Sequence, residues 1–168
     1  MQKGDQRKKE ESEKLVYMPG DAIKSLRLEL SNLLGEKLAA GVLFRFGFRC
    51  GEELVERVEL ENPQTDDIHR SFPLIWEKTG LGKIAKIMDI SDEEVEIKHE
   101  DSIEAKVLGK TGIPSCDYTR GYLAGMATKL LNKKFYCVET DCISEGKDNC
   151  KFQLLVFPHK VLVAKKSD

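Results

Sequence analysis

The sequence has no long apolar run. Residues 1–10 are almost all polar or charged, which argues against a signal peptide, and no later stretch is long enough to span a membrane. These two absences predict a protein of the reducing cytoplasm, where cysteines are rarely paired in disulfides. The five cysteines of the chain are therefore expected to be free thiols or metal ligands.

The chain also has no marked excess of charge of one sign. It contains 27 Lys and Arg residues against 29 Asp and Glu residues. Without a basic surface, a helix-turn-helix pattern or zinc-finger spacing, no nucleic-acid partner is expected. Residues 1–14 are almost all polar or charged and predict a disordered tail, which leaves 15–168 as a single domain with one core.

Recognisable catalytic motifs are missing as well. The three histidines, His69, His99 and His159, do not fall in a motif with Ser or Cys. Residues 80–85 match the glycine pattern of a dinucleotide-binding loop, but they follow a predicted helix and enter a predicted strand, which is the wrong context. We therefore expect no catalytic residues, and a binding protein rather than an enzyme.

What the sequence does have is a spaced set of metal-binding side chains towards its C-terminus. The set is Cys116, Glu139, Cys142 and Cys150. Three thiols and one carboxylate can complete the tetrahedral coordination of a structural zinc ion. Pro114 and Ser115 precede a predicted helix over 117–131, so the first cysteine is expected at a helix N-terminus, where the helix dipole favours a thiolate. The other three ligands are expected on a C-terminal hairpin built from strands near 134–138 and 151–157.

Two features of this set leave alternatives open. Glu139 and Cys142 are three residues apart and would point to opposite faces of a regular strand, so both can reach one ion only if a bulge or early turn lies near Thr140 and Asp141. A disulfide between Cys142 and Cys150, or a set of buried free thiols, would also account for the cysteines. Cys50 and Cys137 lie outside the spacing and are predicted to be core residues.

Three helices are predicted before the metal motif. The first begins at Asp21, and the third carries Ile68 and Trp76 and is expected to be interrupted or restarted at Pro73. The second covers 36–60, and its first half is apolar on more than one side, which predicts burial in the core or at the interface of a homodimer. Its apolar residues are Leu38, Val42, Leu43, Phe44, Phe46 and Phe48.

Paired glycines four residues apart occur in two of the predicted helices. The pairs are Gly47 with Gly51 and Gly121 with Gly125. Such a pair leaves a groove on one helix face, so another helix or a ligand can approach closely, and helix packing is the favoured interpretation.

The predicted strands indicate an antiparallel sheet. Val95, Ile97 and His99 alternate with charged residues over 94–100, as in a strand that is wet on one face, and a partner strand is predicted over 83–90. The order helices, hairpin, helix, hairpin predicts an α+β fold in which an antiparallel sheet packs against helices, with a zinc site between a helix N-terminus and a C-terminal hairpin. Residues 161–168 are expected to add an edge strand or to hang free.

The metal motif resembles the signature of the 4-vinyl-reductase domain family. The matching segments are 114–125 (PSCDYTRGYLAG), 138–142 (VETDC) and 150–152 (CKF). Members occur as stand-alone archaeal and bacterial proteins and as the sensory domain of aromatic-responsive transcription activators, and the family is similar in fold to subunits of the TRAPP vesicle-tethering complex. The resemblance implies zinc bound by the Cys, Glu, Cys, Cys quartet.

The resemblance also implies a pocket beside the metal for an apolar or aromatic small molecule. In phenol-sensing members a His and a Trp hold the hydroxyl of the ligand, and the candidates here are His69, Trp76 and His99. Three functions remain open: a sensor or carrier without catalysis, a protein-interaction scaffold similar to TRAPP components, and a vinyl reductase. We expect the first.

Overall fold

The structure is a computed structural model that describes residues 18–61, 68–91 and 93–157, with the side chains of 59–61 left out. The predicted tail over 1–14, His159 and the edge strand proposed for 161–168 lie outside the described residues. In the described part of the chain, no helix is both long enough and apolar enough to cross a membrane.

The described residues form five α-helices, four strands and one short 3-10 turn. In chain order they are α1 (Gly20–Leu34), α2 (Glu36–Glu61), α3 (Ile68–Glu77), β1 (Lys83–Ser91), β2 (Glu94–Glu100), α4 (Ile103–Leu108), α5 (Asp117–Leu131), β3 (Phe135–Asp141), the 3-10 turn (Ile143–Glu145) and β4 (Cys150–Val156). The predicted α+β class is confirmed, and the extra element is α4, which the sequence pattern did not indicate.

The strands form one antiparallel sheet in the order β1-β2-β4-β3. Along β2 the burial alternates as predicted, so Val95, Ile97 and His99 face the core while the charged residues between them are more exposed. On that inner face the sheet is covered by α3 near β1 and by α5 near β3 and β4. The core therefore lies between one face of the sheet and a layer of helices.

The two glycine pairs bring α2 and α5 into backbone contact. A Cβ atom added at Gly47 or Gly51 would collide with the carbonyl oxygen of Tyr118 or Tyr122, and one added at Gly121 would collide with that of Phe44. The bodies of these helices lie so close that no side chain fits between them. Helix packing, the favoured interpretation of the glycines, is confirmed.

One helix prediction needs correction and one stays open. The expected interruption at Pro73 was wrong, because α3 runs through Pro73 without a break. Burial of Phe72, Ile75 and Trp76 against the core stabilises the helix on both sides of the proline and outweighs a local cost of about 3 kcal/mol. For the first half of α2, the predicted burial at a homodimer interface stays a prediction: Leu38, Val42 and Phe46 are 63%, 42% and 48% exposed in the single chain, so they are not part of its core.

Candidate metal centre and aromatic pocket

The fold brings the four predicted metal ligands to one point. Cys116 is the N-cap residue of α5, Cys142 follows β3, and Cys150 begins β4. The register of β3 against β4 shifts between Glu139 and Asp141, which is the irregularity predicted at this position. The shift lets the carboxylate and Cys142 face the same centre, so the geometric conflict noted in the sequence is resolved.

The sulfur atoms have the separations that a tetrahedral metal ion requires. Sγ of Cys116 lies 3.7 Å from Sγ of Cys142 and 3.8 Å from Sγ of Cys150, and the last two are 3.9 Å apart. A zinc ion with bonds of about 2.3 Å to sulfur in tetrahedral geometry places its sulfurs about 3.8 Å apart. All five cysteines of the chain are described, and all are free thiols, so the structure contains no Cys142–Cys150 disulfide.

The carboxylate of Glu139 completes the set. Its Oε2 accepts a hydrogen bond of 2.9 Å from the backbone N–H of Cys116, whereas its Oε1 is buried and finds no hydrogen-bond partner among the described residues. One ligand atom from each of the four residues lies within 4.8 Å of the others. A buried carboxylate oxygen without a partner costs free energy unless a cation sits beside it. The four residues therefore fit a metal ion.

The acid–base properties of the cluster agree with that fit. Hydrogen bonds to Cys142 and Cys150, together with burial, raise the pKa of the Cys116 thiol, and burial raises the pKa of Glu139 to about 8. The pKa of Cys142 is lowered because the Cys116 and Cys150 thiols donate hydrogen bonds to its sulfur. Without a cation, the raised pKa values keep most of the ligand side chains protonated and neutral. A bound divalent ion would stabilise their deprotonated forms.

Buried hydroxyl groups surround the sulfurs. Ser144 Oγ lies 2.8 Å from Sγ of Cys142 and 2.6 Å from Ser115 Oγ, while Ser102 Oγ lies 3.5 Å from Sγ of Cys116. Groups of this kind orient metal ligands and adjust their basicity. Ser102 and Ser144 could not be identified from the sequence, because no spacing rule links either residue to the cysteines. The tertiary fold brings both hydroxyl groups next to the sulfur atoms.

Two of the three predicted ligand-binding residues form a buried pair. Nε1–H of Trp76 on α3 donates a hydrogen bond of 3.0 Å to Nε2 of His99 on β2, and both side chains are 0% exposed. Tyr122 packs edge-on against the indole with ring centroids 5.6 Å apart. Gly82, with φ of 133°, lies against the imidazole, and an added Cβ would approach its Cε1 to 2.7 Å. The absence of a side chain at Gly82 therefore leaves room for the His99 ring.

His99 is neutral and has one ring nitrogen to spare. Burial lowers its pKa to about 4. Because Nε2 accepts the hydrogen bond from Trp76, the ring hydrogen belongs on Nδ1. This Nδ1 is buried and has no hydrogen-bond partner among the described residues. A buried donor without a partner is uncommon in folded proteins and marks a place for a further polar group.

His69 lies elsewhere. Its side chain is 43% exposed, and its Nε2 lies 2.8 Å from a carboxylate oxygen of Asp89 on β1. The structure therefore brings Trp76 and His99 together and leaves His69 on the surface.

A cavity of about 520 Å³ opens beside the aromatic cluster. Its wall is formed by residues 77–80 together with Met18, Ile23, Leu54, Leu81, Tyr118 and Tyr122. Tyr122 connects this wall to Trp76 through their ring contact. The volume is in the range of small-molecule sites, and the wall combines apolar side chains with a nearly equal share of polar surface.

Two family models match the chain. The model described as "Activator of aromatic catabolism" matches residues 2–91, and the model of the vinyl-4-reductase domain matches residues 95–155. The second contains all four metal-ligand candidates, so the resemblance drawn from the cysteine motif is confirmed. Together the two models cover the helices, the sheet and both candidate sites.

Curated relatives match this chain over part of their own length. An uncharacterized protein of Methanocaldococcus jannaschii is 32% identical over 78 residues, which cover 46% of this chain and 48% of that protein. The transcriptional regulatory protein XylR of Pseudomonas putida is 25% identical over 149 residues, which cover 82% of this chain and 26% of XylR. The chain therefore spans about half of the first relative and about a quarter of the second.

Solved structures show the same fold. The phenol-responsive sensory domain of the transcription activator PoxR, solved with phenol, matches with a TM-score of 0.72 and 24% identity over 84% of this chain and 76% of that one. A trafficking protein particle complex subunit 3 from Naegleria fowleri matches with a TM-score of 0.56 and 13% identity over 82% of this chain and 96% of that one. The expected similarity in fold to TRAPP subunits is confirmed at this level.

Proposed function

We propose that this chain is a zinc-stabilised sensory domain for a small hydroxylated aromatic molecule and that it does not catalyse a reaction. The chain belongs to the family described as activators of aromatic catabolism, and it carries a vinyl-4-reductase domain. The observation that supports this most strongly is the buried Trp76–His99 hydrogen bond, which lies behind Tyr122 in the wall of the cavity. The relatives named as regulators of aromatic catabolism or as phenol-responsive agree with it.

The chemistry of the pair favours a hydroxyl over a methyl group. A ligand hydroxyl inserted between the two rings accepts a hydrogen bond from Trp76 Nε1–H and donates one to His99 Nε2, so both groups stay satisfied. A hydrocarbon in the same place would break the Trp76–His99 hydrogen bond without forming a new hydrogen bond to either ring. Leaving a buried polar group unsatisfied costs about 1–3 kcal/mol, which corresponds to roughly a fivefold to 150-fold loss of affinity.

Zinc is the metal that the donor set suits best. Three thiolates at tetrahedral spacing select a soft or borderline divalent ion, and zinc accepts one carboxylate in such a set. Four protein ligands leave no coordination position for a reactive water, so the ion would serve to hold α5 against the β3–β4 hairpin. This closed arrangement supports a structural role rather than hydrolytic chemistry.

Trp76 fluorescence tests the ligand proposal, because Trp76 is the only tryptophan in the sequence. Phenol and toluene form a matched pair, since a hydroxyl and a methyl group are similar in size. We expect a saturable change in fluorescence with phenol and an affinity for toluene that is at least about fivefold lower. In His99→Phe the preference for phenol should disappear, whereas His69→Ala, which alters an exposed side chain, should leave phenol affinity unchanged.

If neither compound alters the fluorescence or the melting temperature of the protein, and the purified protein retains no small molecule, the sensory proposal is wrong. The interaction scaffold would then take its place, because the fold is shared with a trafficking complex subunit.

A homodimer formed through α2 is the second part of the proposal. Leu38, Val42 and Phe46 follow one another at helical spacing and remain exposed, and such an apolar stripe marks an interaction surface. We expect Val42→Glu to convert a dimer into a monomer while Lys37→Glu, which changes a charge on the same helix outside the stripe, leaves the dimer intact. Light scattering decides: a wild-type mass of about one chain, 19.0 kDa, over a wide range of concentration would contradict the dimer.

A further inference from the structure

Helix α4 begins between the aromatic pocket and the metal centre. It follows directly on β2, whose last inward-facing residue is His99. The N–H of Ile103 donates a hydrogen bond of 3.0 Å to the carbonyl oxygen of Leu81, a residue that lines the cavity. The start of α4 is therefore fixed to the rim of the pocket.

The N-cap residue of α4 reaches the metal centre. Ser102 is 0% exposed; its Oγ accepts a hydrogen bond from the N–H of Ala105 and lies 3.5 Å from Sγ of Cys116. A serine hydroxyl has one hydrogen to donate, and with Ala105 occupying a lone pair that hydrogen can be directed to the sulfur. Ser102 thus joins the first turn of α4 to a metal ligand.

Glu104 ties the same turn to α5. Its carboxylate is 0% exposed and accepts hydrogen bonds of 3.0 Å and 2.7 Å from the backbone N–H groups of Tyr118 and Thr119. These N–H groups belong to the first turn of α5, where a helix has no partners of its own for them. Within the described residues, Cys116, the N-cap of α5, provides no side-chain cap for that turn. A carboxylate from α4 takes over this role.

Helix α5 itself carries residues of both sites. Cys116 at its N-cap is a metal-ligand candidate, and Tyr118 and Tyr122 in its first turns line the cavity. A displacement of α4 would therefore move the metal ligand and the wall of the pocket together. Only Glu100 and Asp101 separate His99 from Ser102, so a displacement of the His99 ring is transmitted over a short segment; Asp101 adopts a φ of 57°, and its carboxylate accepts a hydrogen bond from Lys106 of α4.

We infer that residues 102–104 couple the two sites, so that a ligand at the Trp76–His99 pair changes the affinity of the Cys116 centre for zinc. This inference rests on the proposed function. A ligand hydroxyl that binds between the two rings separates Trp76 from His99. Only Glu100 and Asp101 lie between His99 and Ser102, so a movement of His99 reaches the start of α4. Linkage then requires zinc to change ligand affinity by the same factor.

The test uses the full chain with zinc and phenol. Zinc affinity is measured by chelator competition with and without saturating phenol, and phenol affinity by Trp76 fluorescence with and without zinc. The coupling ratio is the factor by which one ligand changes the affinity for the other. We expect the ratio measured for zinc and the ratio measured for phenol to be equal and at least about fivefold in the wild type. Ser102→Ala should bind both zinc and phenol, with a coupling ratio close to one.

Ser144→Ala is the matched control, because it also removes a hydroxyl beside a ligand cysteine, Cys142, but on the side of the 3-10 turn. Ser144→Ala should lower the affinity for zinc and keep the coupling ratio of the wild type. Cobalt in place of zinc gives an independent readout: phenol should shift the thiolate-to-cobalt absorption band in the wild type and in Ser144→Ala, and not in Ser102→Ala.

A ratio of one in the wild type, with both zinc and phenol bound, overturns the coupling and leaves the proposed function standing. Equal loss of the ratio in Ser102→Ala and Ser144→Ala overturns the assignment to 102–104. If phenol binds in neither zinc state, the proposed function fails together with the inference. Should Ser102→Ala not fold, the wild-type ratio alone still decides whether the sites are coupled.

Discussion

Cys142→Ser is expected to lose the metal ion and to lower the free energy of unfolding by more than about 4 kcal/mol. The reason is that binding energy at a structural metal site is folding energy, and the three sulfurs and the carboxylate join α5 to the hairpin. Metal content measured by elemental analysis and stability measured by urea unfolding report the two effects separately. Glu139→Gln should retain more metal than the cysteine variant, because an amide oxygen remains as a weak ligand.

Cys137→Ser is the control for this experiment. Cys137 is also buried, in β3, but lies outside the cluster. Its replacement places a hydroxyl in an apolar site and should cost about 1–3 kcal/mol with no change in metal content. Protein prepared with zinc supplied that contains no transition metal, or a Cys142→Ser variant as stable as Cys137→Ser, would contradict a structural metal centre.

Gly121→Ala is expected to lower the free energy of unfolding by about 3 kcal/mol or more. Its Cβ would collide with the backbone of Phe44, and a backbone contact cannot be relieved by turning a side chain, so α2 and α5 would have to separate. Gly41→Ala on α2 is the matched control. No heavy atom lies within 4 Å of its added Cβ, so this variant should instead gain up to about 1 kcal/mol from helix propensity.

Urea unfolding of the two alanine variants measures the difference. If Gly121→Ala were as stable as Gly41→Ala, the close approach of the two helices would not exist in solution.

The metal centre could be predicted from the sequence because its information is local. The spacing of Glu139, Cys142 and Cys150 fits one hairpin, and the conflict in strand geometry pointed directly to the register shift that the structure contains. The glycine pairs were equally informative, since a missing side chain at helical spacing has few explanations other than a close approach.

The aromatic pair was only half predictable. Periodicity places Trp76 on the buried face of α3 and His99 on the buried face of β2, but it does not say which residues on different elements meet. His69 lies seven residues before Trp76 on the same predicted helix face, yet in the structure it lies on the surface with Asp89. Contacts between distant segments depend on the tertiary fold, which periodicity does not encode.

Helix α4 and Glu104 could not be predicted. Six residues are too few to show a helical period, and an isolated helix of that length is unstable in water. It forms here because Ser102 caps it and Glu104 binds the backbone of α5. A glutamate in a charged stretch of sequence is normally expected on the surface, and its burial depends on N–H donors from a segment that follows later in the chain.

The indole resonance of Trp76 in a 1H–15N NMR spectrum tests the central claim most directly. The sequence contains one tryptophan, so the Nε1–H cross-peak needs no assignment by mutation, and this hydrogen is the one bonded to His99. We predict that phenol moves the cross-peak saturably, with the affinity found by fluorescence, and that toluene at the same concentration moves it far less. A cross-peak that stays in place while phenol binds would show that the ligand does not bind at this pair and would contradict the account.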